Sequence, residues 1–210
     1  MNNEVNVKVS SFGFANTYVL AVEDECFIID PAVELKEIIR MVDNKKVLGV
    51  ILTHGHYDHF VNLFETLSHY NTKVYMQRDA FSKVNDANLS YQFAFTKKPV
   101  QTLSAEDTIF LHDGMSVLLK SKKIKVIQTP GHTNCSISLR IDNILFTGDT
   151  LFRLGIGRYD LATANQYKLS ESIKKLLSIK DDCIVYPGHD EATSVHFEAK
   201  NNPFYLKIKD

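Results

Sequence analysis

The stretch Val50–His59, VILTHGHYDH, decides both the fold and the chemistry predicted for this chain. Its apolar start is typical of a buried strand, and that strand leads directly into the polar cluster His54, His56, Asp58 and His59. The whole chain of 210 residues has only 8 histidines. Three of them within one short loop therefore point to a metal site more than to a solvated turn.

The spacing within this cluster divides its members into two pairs. His54 and His56 lie two residues apart in an extended or turning segment, so their imidazoles can point to the same side. Asp58 and His59 are adjacent, next to the start of the following predicted helix, and can point elsewhere. Neutral imidazole and carboxylate suit zinc and similar divalent ions, with bonds of about 2.0–2.2 Å. The cluster therefore predicts ligands for two neighbouring metal ions.

Five apolar, strand-like runs in the chain each end in a histidine or an aspartate. The residues at or just past these ends are Asp30, His54, His132, Asp149 and His189. Catalytic groups usually lie on loops at one edge of such sheets, where rigid strands aim them inward. If the five strands share an edge, the later residues join the cluster of the first half.

The expected site has a full set of ligands for two ions. One ion takes His54, His56 and His132, the other takes Asp58, His59 and His189, and Asp149 bridges them. Two ions about 3.5–4 Å apart would hold a water molecule and bring its pKa close to neutral, which supplies a nucleophile without serine or cysteine. Asp58 and Asp149 are the predicted catalytic carboxylates, with Asp58 orienting the water and handling its proton.

Strands and helices come in groups along the chain, in two similar halves. Apolar stripes at helical spacing run through Leu35–Val42, Phe60–Leu67 and Leu169–Leu177, and Asp79 could cap a further short helix. Strand-like runs lie between them. This order predicts an α/β fold, in which two mixed β-sheets pack face to face with helices outside, as a single domain over residues 1–210.

Composition and charge narrow the classes of function. The formal net charge of −1 argues against a general nucleic-acid or acidic-membrane surface. The N-terminus shows no secretion signal, and no apolar run approaches the length of a bilayer span. Cys26, Cys135 and Cys183 are odd in number and far apart, which favours reduced thiols. We therefore expect a cytoplasmic protein that acts on a small molecule, without nucleic-acid or membrane partners.

Four motifs and one aspartate resemble the metal-binding motifs of the metallo-β-lactamase superfamily, in the expected order. They are THGHYDH (53–59), TPGHTNCS (129–136), FTGDTLF (146–152), YPGHD (186–190) and Asp30 in IIDPA. The resemblance spans nearly the whole chain and implies the αββα sandwich of that family. It also implies the same ligands at the matching positions, with Asp30 behind them to orient the strand end that carries His54.

Two further stretches resemble the small glyoxalase II-like hydrolases, which split thioesters such as S-lactoylglutathione. They are GDTLFRLGIGRYDL (148–161) and the ending GHD…FEAKNNPF (188–204). Arg158 stands where those enzymes use a lysine on glutathione, so it could meet a substrate carboxylate, and the alternative is a surface ion pair. Val61 and Asn62 replace the usual Gly-Gly pair and predict different packing there. Larger glyoxalase II enzymes hold glutathione with an additional helical domain, so the thiol carrier stays open.

The expected function is a dinuclear metal-dependent hydrolase, a thioesterase of glyoxalase II type. Zinc is the expected metal for both ions, and iron or manganese would accept the same ligands. The main rival hypothesis is a mononuclear iron persulfide dioxygenase on the same scaffold, a family that also carries a G-R-x-D stretch, here GRYDL (157–161). Two further hypotheses are a lactonase and a metal protein without catalysis. The acyl group and the oligomeric state stay open.

The remaining candidate residues have simpler interpretations. His69, His112 and His196 lie in polar stretches and are not expected among the ligands. Phe152 and Tyr159, close to the third motif, are candidates for the wall of a substrate pocket, with core packing as the alternative.

Overall fold

Two mixed β-sheets of six strands each lie face to face at the centre of the molecule, and helices cover both outer faces. This is the arrangement in the computed structural model, which describes residues 5–11 and 14–209. The predicted αββα sandwich is confirmed. Residues 1–4, 12–13 and 210 of the expected single domain lie outside the described ranges.

The first sheet contains the strands of the first half in sequence order. The elements of this half are β1 (Val5–Ser10), β2 (Thr17–Val22), β3 (Glu25–Ile29), α1 (Leu35–Val42), β4 (Lys46–Ile51), α2 (Leu63–Tyr70), β5 (Val74–Gln77), α3 (Arg78–Val84) and β6 (Thr108–Leu111). Strands β1 to β3 pair antiparallel, and β3 to β6 pair parallel. The carboxyl ends of β3 and β4 therefore meet at the same edge of the sheet.

The second sheet has the order β14-β13-β10-β9-β8-β7. The elements of this half are β7 (Ser116–Leu119), β8 (Lys122–Gln128), β9 (Ile137–Ile141), β10 (Ile144–Gly148), β11 (Leu151–Phe152), β12 (Gly155–Ile156), α4 (Gln166–Leu177), β13 (Ile184–Pro187), β14 (Thr193–Ser194), α5 (Val195–Asn201) and α6 (Tyr205–Ile208). Strand β9 is antiparallel to both β8 and β10, and β10 is parallel to β13. Strands β8, β10 and β13 therefore end at one edge. Strands β11 and β12 form a separate hairpin.

Strand β2 shows how the layers are built. Tyr18 and Leu20 point into the apolar core between the two sheets, whereas Val19 and Ala21 point into the core beneath the helices of the first half. Because both faces of the strand are covered, its sequence after Thr17 is a continuous apolar run instead of an alternating one. Burial of a large aliphatic or aromatic side chain stabilises a fold by about 1.5–3 kcal/mol. The central strands therefore hold the sandwich together.

Two helix boundaries differ from the sequence-based expectation. The prediction that Asp79 caps a helix is wrong: α3 begins at Arg78, and the Gln77 side chain accepts a hydrogen bond from the Asp79 N–H. Phe60 was expected in the second helix, but it precedes α2, which begins at Leu63. The short elements β6, β14 and α5 were not predicted, because a few residues carry too little periodic signal.

Helix α4 illustrates the outer layer. Its 12 residues pack Leu169 and Ile173 against the second sheet. Across residues 5–11 and 14–209, no helix combines the length and the apolar character that crossing a membrane requires. Cys26, Cys135 and Cys183 are free thiols buried in the cores between the sheets and the helices.

Candidate metal centre

The strand ends singled out in the sequence meet at one edge of the sandwich. The residues at or just beyond these ends are Asp30, His54, His132, Asp149 and His189. Backbone hydrogen bonds connect the two sheets there: the Ile137 N–H donates to the Thr53 carbonyl at 2.9 Å, and the Asn16 N–H donates to the Gly188 carbonyl at 2.7 Å. The rigid connection aims side chains from both halves into the same space.

The first donor group is His54, His56 and His132. Each presents one ring nitrogen to a common space, and the three atoms lie within 4.8 Å of one another. His132 Nε2 lies 2.9 Å from His56 Nδ1. All three side chains are buried. These are the residues that the sequence assigned to one ion, and their spacing suits three ligands of a single metal.

The second donor group is Asp58, His59 and His189, whose donor atoms also lie within 4.8 Å of one another. Asp58 Oδ2 lies 3.4 Å from His189 Nε2 and 3.8 Å from His59 Nε2. A short 3₁₀ turn, Tyr57–His59, follows the extended His56 and changes the direction of the chain. This turn sends the later pair of the loop toward a different position from the earlier pair.

Asp149 lies between the two donor groups. Its Oδ1 lies 3.1 Å from His59 Nε2, and its Oδ2 lies 3.5 Å from both His132 Nε2 and His189 Nε2. It also forms an overlapping group with His54 and His59. A carboxylate that reaches donors of both groups has the position that a bridging ligand needs.

Two buried ring nitrogens at this edge, His54 Nε2 and His56 Nε2, have no hydrogen-bond partner among the described residues. His59 Nε2 and Asp149 Oδ1, which are also buried, have only each other, at 3.1 Å. Leaving one such group unpaired costs about 1–3 kcal/mol. Their concentration in one place points to a ligand that satisfies them together, and zinc, iron and manganese all accept imidazole nitrogen and carboxylate oxygen. The residues present therefore fit a divalent metal centre.

The charge states of the histidines differ between the two donor groups. Burial holds the pKa of His54 well below its ordinary value and lowers the pKa of His56 to about 3. Burial also acts to lower the pKa of His189, but hydrogen bonds to Asp149 and Asp58 outweigh it and raise that pKa to about 9. The first group is therefore neutral and ready to bind a metal. In the second group, His189 carries a proton that a bound cation would replace.

Asp30 lies directly behind the ligands. Its buried carboxylate accepts hydrogen bonds from the Thr53 N–H at 2.8 Å, from the Thr53 hydroxyl at 2.6 Å and from His59 Nδ1 at 2.9 Å. Thr53 Oγ1 also lies 3.1 Å from His54 Nδ1. Bonds of this kind fix the tautomer and the ring orientation of a metal-binding histidine. The contacts suit the orienting role predicted for Asp30 and extend it to His59.

Arg158 takes part in the site through its backbone. Its carbonyl accepts a hydrogen bond from His132 Nδ1 at 2.8 Å. Its guanidinium is 62% exposed and donates to both carboxylate oxygens of Asp160, at 2.8 Å each. The side chain thus forms the surface ion pair that was the alternative interpretation. Its contact with a substrate stays a prediction.

A cavity of about 490 Å³ opens over the two donor groups. Its apolar lining, termed here the apolar wall, consists of Tyr91, Ala94, Phe95, Phe152, Ile156 and Leu161. Phe152 was a predicted wall residue, whereas Tyr159 lies toward Phe204, with ring centres 6.3 Å apart. The sequence analysis missed the other wall residues. For Tyr91, Ala94 and Phe95 the signal is the aromatic-rich YQFAF (91–95) in an irregular stretch, and Ile156 and Leu161 lie in the stretch 148–161 that carries the family resemblance.

The three remaining histidines, His69, His112 and His196, make local contacts. His112 and His196 bond to nearby backbone carbonyls, and His69 lies against the ring of Tyr70. None of these three histidines belongs to a donor group found among the described residues.

Asn62 has a specific packing role at the position where the family usually has glycine. Its N–H donates to the Pro31 carbonyl at 3.0 Å, and its side-chain amide donates to the Val33 carbonyl at 2.8 Å. These bonds connect the start of α2 to the loop that follows Asp30. Asn62 therefore links the two loops directly, and the expected difference from members with glycine there stays a prediction.

Gly188→Ala is expected to disrupt the centre. A Cβ at this position would lie 2.1 Å from Asp149 Oδ1 and 2.7 Å from His59 Cε1, so both side chains would have to move. We expect fewer metal ions per chain and a loss of turnover on the order of 10²-fold, because displacements of about 1 Å have effects of this size. Gly155→Ala is the control, since the nearest atom to its added Cβ would be 3.6 Å away. Unchanged metal content in the Gly188 variant would contradict the prediction.

The sandwich with a histidine and aspartate centre at its edge defines a metallo-hydrolase scaffold. The sequence model of the Metallo-beta-lactamase superfamily matches residues 11–189. The chain belongs to this superfamily, as its motifs indicated.

Two curated relatives match over most of their length. "Probable metallo-hydrolase YqgX" of Bacillus subtilis (strain 168) is 33% identical over 195 residues, which cover 90% of this chain and 92% of the relative. "Hydroxyacylglutathione hydrolase GloC" of Haemophilus influenzae is 30% identical over 213 residues, which cover 97% of this chain and 98% of the relative. Both names describe hydrolases.

Two solved structures share the fold closely. The BLEG-1 B3 metallo-beta-lactamase superposes with a TM-score of 0.86 at 27% identity, covering 96% of this chain and 99% of that one. TTHA1623 in a di-iron-bound form superposes with a TM-score of 0.82 at 27% identity, covering 95% and 99%. One of these neighbours therefore holds two metal ions on the same scaffold.

Proposed function

We propose that this protein is a dinuclear metal-dependent hydrolase that cleaves thioesters, of glyoxalase II type. The observation that carries the proposal is the position of Asp149, whose carboxylate lies within 3.5 Å of histidine nitrogens from both donor groups. The likeness to a hydroxyacylglutathione hydrolase and to a di-iron structure supports the reaction type and the two ions.

The two donor groups have separate tasks in this proposal. His54, His56 and His132 would hold one ion, and Asp58, His59 and His189 would hold the other, with Asp149 shared. When bound, the ions would supply a water of lowered pKa and a positive charge near the substrate oxygen. Zinc is the proposed metal, and the ligand types also suit iron and manganese.

Asp58 is the group of this chain placed to handle the proton of the attacking water. It lines the cavity, and its side chain is 18% exposed. Burial acts to raise the pKa of its carboxyl, but the hydrogen bond from His189 and the positive charges of His59 and His189 together outweigh burial and lower the pKa. The carboxylate is therefore ionised, so it can orient a water molecule and accept its proton. A thiol has a pKa of about 8.5, so the leaving thiolate departs readily.

Elemental analysis combined with hydrolysis assays tests the proposal. We expect about two divalent ions per chain in freshly purified protein, and a higher kcat/KM for S-lactoylglutathione than for a simple lactone or a β-lactam. One iron per chain with oxygen uptake on glutathione persulfide would support the dioxygenase instead. A metal-loaded protein that is inert toward thioesters, esters and lactones would contradict hydrolysis altogether.

A further inference from the structure

The apolar wall begins next to the donor groups and extends outward. The ring of Tyr91 lies 5.4 Å from the ring of His56, and the ring of Phe152 lies 6.0 Å from that of His189, measured between centres. A group attached to a carbonyl at the donor groups would therefore meet apolar side chains at once. The cavity volume of about 490 Å³ falls within the range of roughly 300–1,000 Å³ for small-molecule sites.

The wall continues into an exposed aromatic rim. Phe95 is 41% exposed and Phe14 is 53% exposed, and their rings meet edge to face at 5.3 Å between centres. The partly buried ring of Tyr57 lies 5.9 Å from that of Phe95 and connects this rim to the core. A contiguous group of exposed aromatic rings at the opening of a cavity marks a binding surface for apolar groups.

The cation at the cavity is already paired. The Arg158 guanidinium holds Asp160 through two hydrogen bonds of 2.8 Å. A substrate carboxylate would have to compete with Asp160. Because Asp160 lies two residues away on the same loop, its pairing with Arg158 costs no translational or rotational entropy of association. Arg158 therefore adds little preference for an anionic substrate such as a glutathione conjugate.

The wall is held in place by bonds between neighbouring segments. The Ala162 N–H donates to the Tyr91 hydroxyl at 2.8 Å, and the Tyr57 N–H donates to the Ser90 carbonyl at 2.9 Å. The first bond connects the segment of Tyr91 to the loop that carries Leu161, and the second connects it to the loop of the donor groups. The surface is therefore formed before a ligand arrives, which lowers the entropy lost on binding.

We propose that the substrate carries an apolar chain, which lies along the apolar wall while its ester or thioester carbonyl meets the donor groups. This inference rests on the proposed function and names the substrate class. The chain could belong to the acyl group or to the thiol, and both would contact the same surface. A medium-length alkyl chain that reaches Phe95 is the chemistry that this surface recognises.

Two series of thioesters test the inference in the metal-loaded protein. The first varies the acyl group from acetyl to butyryl, hexanoyl and octanoyl on N-acetylcysteamine, and the second varies the thiol from ethanethiol to hexanethiol on an acetyl group. We expect kcat/KM to rise with chain length in one of the series, by about twofold to fourfold for each methylene up to six carbons. The series that responds tells which side of the substrate carries the chain.

Substitutions of Phe95 test whether the apolar wall causes the dependence of kcat/KM on chain length. Phe95→Ala is expected to reduce the ratio of hexanoyl to acetyl kcat/KM, or the corresponding thiol ratio, by about tenfold, because it removes a large apolar surface. Phe95→Leu should retain most of the ratio. Tyr167→Ala is the matched control, since this aromatic side chain is 74% exposed on α4 and lies outside the cavity lining. Its ratio should equal that of the wild type.

A binding measurement separates this inference from the proposed function. S-hexyl-N-acetylcysteamine, a thioether that cannot be hydrolysed, should bind at least about tenfold more tightly than the S-ethyl compound in calorimetry. Flat or falling profiles in both series, with S-lactoylglutathione as the better substrate, would overturn the inference and leave the proposed function intact. Preferential binding of the hexyl compound without hydrolysis of any thioester would contradict the proposed function alone.

Discussion

Asp149→Ala is expected to reduce hydrolysis by on the order of 10³-fold or more while the fold is retained. The Asp149 carboxylate lies within 3.5 Å of nitrogen atoms of His59, His132 and His189, and thus contacts both donor groups. The alanine variant lacks the ligand that the two donor groups share. It also leaves the positively charged histidines of the second donor group without the main negative charge beside them. We expect metal content to fall below two ions per chain, measured together with kcat and with circular dichroism.

Asp142→Ala is a suitable control for the loss of a carboxylate. Asp142 lies on the surface, where it pairs with Lys122 at 2.6 Å. This variant should keep full activity and metal content. His54→Ala should behave like Asp149→Ala, because His54 belongs to the first donor group. Full turnover in either site variant, with normal metal content, would exclude the dinuclear mechanism.

Asp30→Ala is expected to have the largest effect on stability. The buried carboxylate accepts three hydrogen bonds from Thr53 and His59. Removal of one partner from a buried charged pair costs about 3–5 kcal/mol of unfolding free energy. We also expect metal affinity to fall by about 10–100-fold, since groups that orient metal ligands have effects of this size. Urea unfolding of the metal-free protein and metal titration measure the two effects separately.

The comparison with Asp30→Asn and Asp43→Ala isolates the carboxylate. Asp30 and Asp43 both have left-handed backbone, with φ of 50° and 53°, so the alanine variants share the same backbone strain. Asp43 pairs on the surface with Lys8, and its variant should lose only about 1 kcal/mol. The asparagine variant retains the shape, but its single amide oxygen cannot accept all three hydrogen bonds, which the carboxylate divides between Oδ1 and Oδ2. It should therefore weaken metal binding, and equal affinity to wild type would contradict the orienting role.

Strand ends explain why much of the candidate site could be predicted from the sequence. His132 and His189 are far apart in the chain, yet each follows an apolar run that had to be a buried strand. Strands β8 and β13 run in the same direction within the second sheet, so their carboxyl ends lie at the same edge. Local pattern and strand direction were sufficient for these residues because rigid secondary structure determines their positions.

Apart from Phe152, the apolar wall could not be predicted, because its position depends on contacts between distant loops. The bond from Ala162 to the Tyr91 hydroxyl joins residues that are 71 positions apart. The left-handed backbone of Tyr91, with φ of 61°, has no signal in its residue type. Similarly, the pairing of Arg158 with Asp160 depends on the conformation of one loop. Periodicity carries no information on such contacts.

The first donor group consists of His54 and His56 from the first half of the chain and His132 from the second half. An ion bound there would act as a cross-link between the halves, since His56 and His132 are 76 positions apart. A ligand that binds only the folded state stabilises it by mass action, by about 2.7 kcal/mol at a concentration 100 times its Kd. The cell's supply of metal would then govern how long each copy survives proteolysis, as well as whether it is active.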